Sequence, residues 1–223
     1  MARTTTTRER LIRTAAELFW RQGYAATGVT AILRRAGVTS GSFYHFFSSK
    51  EDLLLAVLDA TEEMLQVEIF GPAEAATEDP IERVFAVLDF YRRYLVSHRF
   101  ELGCPMGGPA AELSASRPRV RARVAGLFKI WKDAVEAFLV AAGDRLPGEV
   151  DRGALAEMVL AVMEGAVIQA RARRSLVPFD AAVGQLRRFF DLLEDRAGRA
   201  AEVPVSAIME RGGGAESADW RAW

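Results

Sequence analysis

The chain has 223 residues, half of them apolar, with 29 Lys+Arg against 30 Asp+Glu, enough for one large domain or two small ones around a real core. A single cysteine excludes a disulfide framework, and one cysteine with two histidines cannot supply the usual four ligands of a structural zinc. No apolar run reaches about 18 residues and the first nine residues are polar and Thr-rich, so the expectation is a cytoplasmic protein with no membrane span and no secretory signal.

Apolar residues recur at three- and four-residue intervals and no segment alternates strictly, so the predicted fold class is all-α. The first helix is expected over 7–22. Thr6 and Glu9 form a capping box, Leu11, Ala15, Leu18 and Ile12, Ala16, Phe19 mark the buried stripe, and Gly23 stops it. A short helix over 29–36 turns Val29, Ile32, Leu33 and Ala36 inward and ends at Gly37. Thr39 or Ser40 then caps a third helix of about two turns, over 41–47. Ser48 with Glu51 reads as another capping box, opening a longer helix through Leu53, Leu54, Val57, Leu58, Met64 and Leu65 that stops at Gly71-Pro72.

An acidic linker over 73–79 follows, and Pro80 opens a helix with Ile81, Val84, Phe85, Leu88, Tyr91 and Leu95 on one face. The Gly- and Pro-rich stretch 103–109 interrupts the pattern before a short helix over 110–115 and a long one over 118–142, striped by Val120, Val124, Leu127, Trp131, Val135 and Phe138. Helices over 151–173 and 178–197 close the ordered part, and the tail 199–223 has no sustained periodicity and is expected to be mobile.

Charge divides the chain. Residues 1–50 carry eight basic side chains against two acids, a net of +6, which leaves −7 for the rest. Such asymmetry suits a protein whose one end meets a polyanion, although a solvated charged face would show it too. Within the basic segment, two short helices joined by a glycine turn have the sequence shape of a helix-turn-helix at about 29–48. Val29, Ile32, Leu33 and Val38 brace the second helix, and a projecting helix of two turns fits a major groove about 12 Å wide.

On that helix Phe43 and Phe47 lie four apart and face the core, leaving Ser40, Gly41, Ser42, Tyr44 and His45 outside. Small hydroxyls and a glycine at the helix start allow close approach to base edges and phosphates. Tyr44, His45 and Lys50 offer a phenol, an imidazole and an ammonium, all suited to phosphate. Thr27 and Thr30 flank the bracing helix, where a hydroxyl can cap, touch phosphate or do both, and Thr39 is in the same position on the projecting helix.

The stretch TGVTAILRRAGVTSGSFYHFFSSKEDLL, from Thr27 to Leu54, resembles the DNA-binding module of TetR/AcrR-type transcriptional regulators: an Ile-containing helix, A-G-V, a short turn, then Y-H-x-F-x-x-K-x-x-L. Ala15, Ala16, Leu18, Phe19, Gly23 and Tyr24 extend the match over about the first 60 residues, with Leu33 standing where the family commonly has Ala. The resemblance implies a three-helix DNA-binding domain over 1–55 and a C-terminal helical domain over 56–198 that binds a small molecule and dimerises. It implies a homodimeric repressor that grips a palindromic double-stranded operator and is released by a small-molecule or electrophile effector, with no catalytic residue, cofactor or metal. Ser40, Gly41, Ser42 and Thr30 would read bases, and Tyr44, His45 and Lys50 would hold phosphates.

Dimerisation is expected from the last two helices, through Ala154, Ala161, Gly165 and Ala166 on one and Leu186, Phe189, Phe190 and Leu193 on the other; these stripes would serve an intrachain core as well. Phe85, Tyr91, Phe100, Met106, Phe128 and Trp131 are candidate walls of a ligand pocket, core packing being the commoner fate of each, with His98 and Gln169 as polar anchors.

Cys104 lies in Gly103-Cys104-Pro105-Met106-Gly107 followed by Ala110-Ala111-Glu112-Leu113, which resembles a segment in a branch that includes the N-ethylmaleimide-reductase repressor, whose matching cysteine senses electrophiles. Arg99, Arg117 and Arg119 would depress its pKa if they lie near it in space; a small buried hydrophobe is the commoner reading. The rival classes are an enzyme using Cys104 or His98, for which no nucleophile–base motif is visible, and a helical protein-interaction module.

Overall fold

A computed structural model of the chain describes residues 6–201; the predicted tail lies outside the described residues from 202 onward. Among the described residues all regular structure is helical. The first helix, α1 (Thr7–Gln22), has the expected capping box, with Thr6 accepting from the Glu9 N–H and Glu9 accepting from the Thr6 N–H. It packs on α2 (Val29–Ala36), α3 (Ser40–Phe46) and α4 (Lys50–Met64), forming a three-helix head braced by the start of a fourth. Leu11, Ile32, Phe43, Leu53 and Leu54 are fully buried at its centre.

The head and body share α4, which lies against α1 on one side and α8 (Pro118–Ala141) on the other. Arg117 on Glu51 (3.0 Å), Arg119 on Asp52 (2.9 Å) and Arg123 on Asp59 and Glu62 (2.7 and 2.6 Å) stitch α8 and the residue before it along α4. The cap of α4 is one residue later than the sequence suggests. Ser49, not Ser48, accepts from the Asp52 N–H and donates to the Asp52 carboxylate.

Nor does α4 end at Gly71-Pro72. A π-helical turn, Leu65–Phe70, carries the chain directly into α5 (Gly71–Ala76), so the first part of the predicted acidic linker is helical. Proline has no N–H to donate, and the wider turn in front of it lets the helix pass. The Gln66 carbonyl accepts from the Gly71 N–H, and it would stand only 3.0 Å from a Cβ at Gly71, a crowding that glycine avoids.

The body continues with α6 (Pro80–Ser97), started by Asp79 accepting from the N–H groups of Ile81 and Glu82. Two consecutive left-handed residues, Arg99 and Phe100, turn the chain out of α6. They lead to α7 (Gly107–Leu113), which begins earlier than expected because the glycines of the 103–109 stretch are partly helical. Two long helices finish the body, α9 (Arg152–Arg173) and α10 (Val177–Ala201), with α9 packed against α6, α8 and α10.

By length and composition alone α9 could cross a membrane, although Glu157 and Glu164 interrupt its apolar residues. Eight of its residues are nevertheless buried against its own chain, among them Leu155, Val159, Met163 and Val167, which is how a core helix behaves. Its opposite face leaves Ala154, Met158, Ala161, Ile168 and Ala172 exposed.

Candidate nucleic-acid interface

The turn between α2 and α3 follows from one residue. Gly37 takes a left-handed conformation (φ 63°), which lets its N–H and that of Val38 return to the last carbonyls of α2 and redirects the chain. Thr39 then caps α3, its hydroxyl accepting from the Ser42 N–H at 3.3 Å and lying 3.0 Å from the Ser42 hydroxyl.

Phe43 is fully buried and Phe47 nearly so, their rings 5.9 Å apart, and they fasten α3 to the head by one side. The other side is open. Ser40, Gly41, Tyr44 and His45 are exposed, Ser42 is half-buried, and Tyr44 keeps 60% of its surface while its ring stands edge-on to Phe43. Thr30 is exposed on α2. Seven of the nine predicted DNA-facing residues are thus exposed or half-buried, on α2, on α3 and at the cap between them.

Thr27 and Lys50 are the exceptions, and both correct the sequence reading. Thr27 is fully buried. Its hydroxyl donates to the Gly23 carbonyl at 2.7 Å and accepts from the Gln22 amide at 3.1 Å, while Gly28 occupies the cap position of α2, so Thr27 neither caps nor reaches phosphate. The Lys50 ammonium turns inward to the carbonyls of Tyr24 (2.9 Å) and Thr27 (3.0 Å) and lies 3.9 Å from the centre of the Tyr24 ring. Loss of water there pushes its pKa down. Its task is to close the loop between α1 and α2.

Two surface residues escaped the sequence reading. Phe46 is 39% exposed beside His45, and Arg34, at the end of α2, is exposed with no ion-pair partner among the described residues. Arg35, by contrast, is paired with Glu17 at 2.5 Å, and the pair holds the Glu17 carboxyl below its ordinary range.

Behind the head, the end of α1 is tied to the body. The Trp20 carbonyl accepts from the Gly103 N–H at 3.0 Å, and Arg171 of α9 donates to the Arg21 carbonyl at 2.8 Å. Glu112 of α7 accepts from the N–H groups of Tyr24 (2.8 Å) and Ala25 (2.5 Å). Arg21 adds an ion pair with Glu101. Glycine at 103 serves this joint, and glycine at 107 makes room for a side chain of α9. A Cβ at Gly103 would stand 2.9 Å from the Arg171 guanidinium, and one at Gly107 would collide with the Glu164 carboxylate.

The predicted ligand-pocket residues do not converge. Tyr91, Met106 and Trp131 are core, with the Trp131 indole N–H donating to the Tyr91 hydroxyl at 3.0 Å, and Gln169 faces outward on α9. Phe100 and Phe128 are half-buried against the core and line none of the cavities described here. Phe85 borders a small cavity of about 300 Å³ between α6 and α10. His98 borders one of about 850 Å³ between α1, α4 and α6, and Cys104 one of about 540 Å³ between the end of α1, α7 and α9. Trp20 is a wall of both larger cavities.

Cys104 is buried, and desolvation together with the neighbouring Glu164 carboxyl pushes its thiol pKa well up. Arg117 and Arg119 are engaged on α4 and Arg99 faces solvent, so the predicted basic surroundings of the thiol do not exist. Among the described residues no cluster of three or more His, Cys, Asp or Glu is arranged to hold a metal ion.

Comparison with known proteins bears on both parts of the chain. Residues 11–57 match the model for bacterial regulatory proteins of the tetR family, and residues 80–185 match the C-terminal domain of LmrA/YxaF-like transcriptional regulators. An uncharacterised HTH-type transcriptional regulator of Mycobacterium tuberculosis is 33% identical over 187 residues, 81% of this chain and 92% of that protein. The HTH-type transcriptional repressor DhaR of a Mycobacterium species is 28% identical over 81% of this chain and 89% of its own length.

Among solved structures, a TetR transcriptional regulator from Chloroflexus aurantiacus has a TM-score of 0.74 and 33% identity, covering 83% of this chain and 94% of that one. The reduced form of Escherichia coli NemR, at 23% identity and a TM-score of 0.71 over 82% of this chain and 96% of that one, shares the fold alone.

Proposed function

The chain belongs to the TetR family of bacterial regulatory proteins, DNA-binding regulators that are not enzymes, and from that premise we propose that it is a ligand-released transcriptional repressor working as a homodimer. The DNA-binding domain is 1–55 and the effector-binding and dimerisation domain 56–198. The observation that carries the reading is α3 itself, held by Phe43 and Phe47 on one side and offering only small polar groups, Tyr44 and His45 on most of the other.

In this reading Ser40, Gly41, Ser42 and Thr30 meet base edges, while Tyr44, His45 and Arg34 hold phosphates, with Thr39 at the tip of the helix. Dimerisation uses the outer faces of α9 and α10. Ala154, Met158, Ala161, Ile168 and Ala172 form a stripe of small and apolar side chains on the first, and Val177, Phe189 and Leu192 stay exposed on the second. Two copies paired there would present their α3 helices to a palindrome, one turn of DNA apart, about 34–36 Å. Repression is supported by the likeness to DhaR, which is named a repressor.

The branch resemblance at Cys104 implies electrophile sensing. A buried thiol held in its protonated form is a poor nucleophile, so the effector we propose binds without forming a bond to sulfur. Selection from random duplex DNA followed by binding titration tests the reading. A palindromic site bound by dimers, with Tyr44→Ala losing the DNA but not the dimer on sedimentation, is expected; a folded protein that enriches no duplex sequence overturns it.

A further inference from the structure

The 540 Å³ cavity between the end of α1, α7 and α9 has the size of a small-molecule site. Phe19, Trp20 and Tyr24 wall it on the head side and Val167 and Ile168 on the side of α9. Its charged residues are Glu112, Glu164 and Arg171. Arg171 is committed to the α1 carbonyls and Glu112 to the Tyr24 and Ala25 N–H groups.

Glu164 is different. Its carboxyl lies in the space that Gly107 leaves open, beside the Cys104 thiol, and its Oε1 is buried without a hydrogen-bond partner. Burial raises its pKa, as expected for a carboxyl with no cation to balance it. A buried acceptor in a cavity lined by aromatic residues favours an ammonium group, which can donate a charge-assisted hydrogen bond and lie against a ring face. An anionic ligand would meet two carboxyls and no uncommitted cation.

We propose that this cavity is the effector site and that it takes a small organic amine with an apolar body, the ammonium group held by Glu164. Glu112 and Arg171 both line the cavity and both hold the end of α1 and the loop after it, so an occupant that shifts either side chain shifts the seat of α2 and α3. This second step rests on the repressor reading above; the binding step does not.

Calorimetry on the full chain with 4-phenylbutylamine, 4-phenylbutanol and 4-phenylbutyrate, three probes with one body and different heads, separates the two steps. The amine is expected to bind about tenfold or more tighter than the alcohol, and the carboxylate more weakly than either. Glu164→Gln keeps the side-chain volume and is expected to bring amine and alcohol to equal affinity, the retained alcohol binding showing that the cavity survives. Should that variant not fold, Ala111→Phe at the cavity wall is expected to weaken all three probes together.

Equal affinities in the unaltered chain, an amine preference that persists in Glu164→Gln, or no binding of any probe would overturn the site. On a selected operator duplex the amine is expected to lower DNA affinity about tenfold. Amine binding with DNA affinity unchanged overturns the coupling and leaves the site standing. Failure to select any duplex counts against the repressor reading, while the calorimetry still judges the site.

Discussion

Whereas the outer side of α3 leaves its polar groups to solvent, the stretch from Trp20 to Thr27 has much of its backbone hydrogen bonding committed within the chain. The carbonyls of Trp20, Arg21, Tyr24 and Thr27 and the N–H groups of Tyr24 and Ala25 all find partners in other elements. Both regions lie in the same small head, yet one is built to be completed by something outside and the other to be disturbed only at a cost. A recognition surface needs spare hydrogen-bonding capacity. A mechanical joint needs none, because groups with no spare capacity cannot move independently.

Removing the anchor of the open region is the most drastic way to break this contrast. Phe43→Ala is expected to lower stability by about 3–5 kcal/mol, measured by urea unfolding, because it empties the centre of the head. Next comes a pair of cations on either side of the divide. Lys50→Met is expected to cost about 1–3 kcal/mol of stability by stranding the Thr27 carbonyl and leaving that of Tyr24 with the Thr27 N–H alone, with the salt dependence of DNA binding unchanged. Arg34→Gln should do the opposite, leaving stability alone and lowering the slope of log affinity against log salt by about 2 for the dimer, one phosphate contact from each protomer. If Lys50→Met flattened that slope, the assignment of its ammonium to the inner side would be wrong.

A smaller effect sharpens the joint. Glu112→Gln is expected to lower the melting midpoint by the equivalent of about 1 kcal/mol, since the Tyr24 and Ala25 N–H groups use both carboxylate oxygens and an amide has only one to accept with. Hydrogen exchange at those two amides should quicken in the variant; unaltered exchange would show that the clamp is not what protects them.

The last expectation concerns pH. Glu164 keeps its proton to higher pH in the folded chain than in the unfolded one, so folding takes up a proton there. Stability attributable to this residue therefore falls as pH rises from the unfolded carboxylate range through the raised folded pKa. Glu164→Gln should flatten that part of the melting profile, and an identical slope in the variant would show that the carboxyl ionises normally.

Much of the head was legible because its signals are local. The capping box at Thr6 and Glu9, the stop at Gly23 and the left-handed turn at Gly37 each act within a few residues, and α1 and α2 have the predicted bounds. The π-helical turn left no mark in the apolar pattern, and Gly71-Pro72 reads as an end unless one knows that the preceding turn widens. Side chains whose partners depend on how the loop after α1 folds were misread, whether those partners are near in sequence or far. The hydroxyl of Thr27 and the ammonium of Lys50 look like phosphate ligands until the folded loop brings carbonyls to them. Glu112 and Arg171 gave no sign of their task, since their partners on α1 are far away in sequence.

Trp20 forms part of the wall of both larger cavities, with its indole nitrogen buried and lacking a hydrogen-bond partner. A single residue thus borders two chambers, so a guest that displaced Trp20 in the first would alter the outline of the second as well.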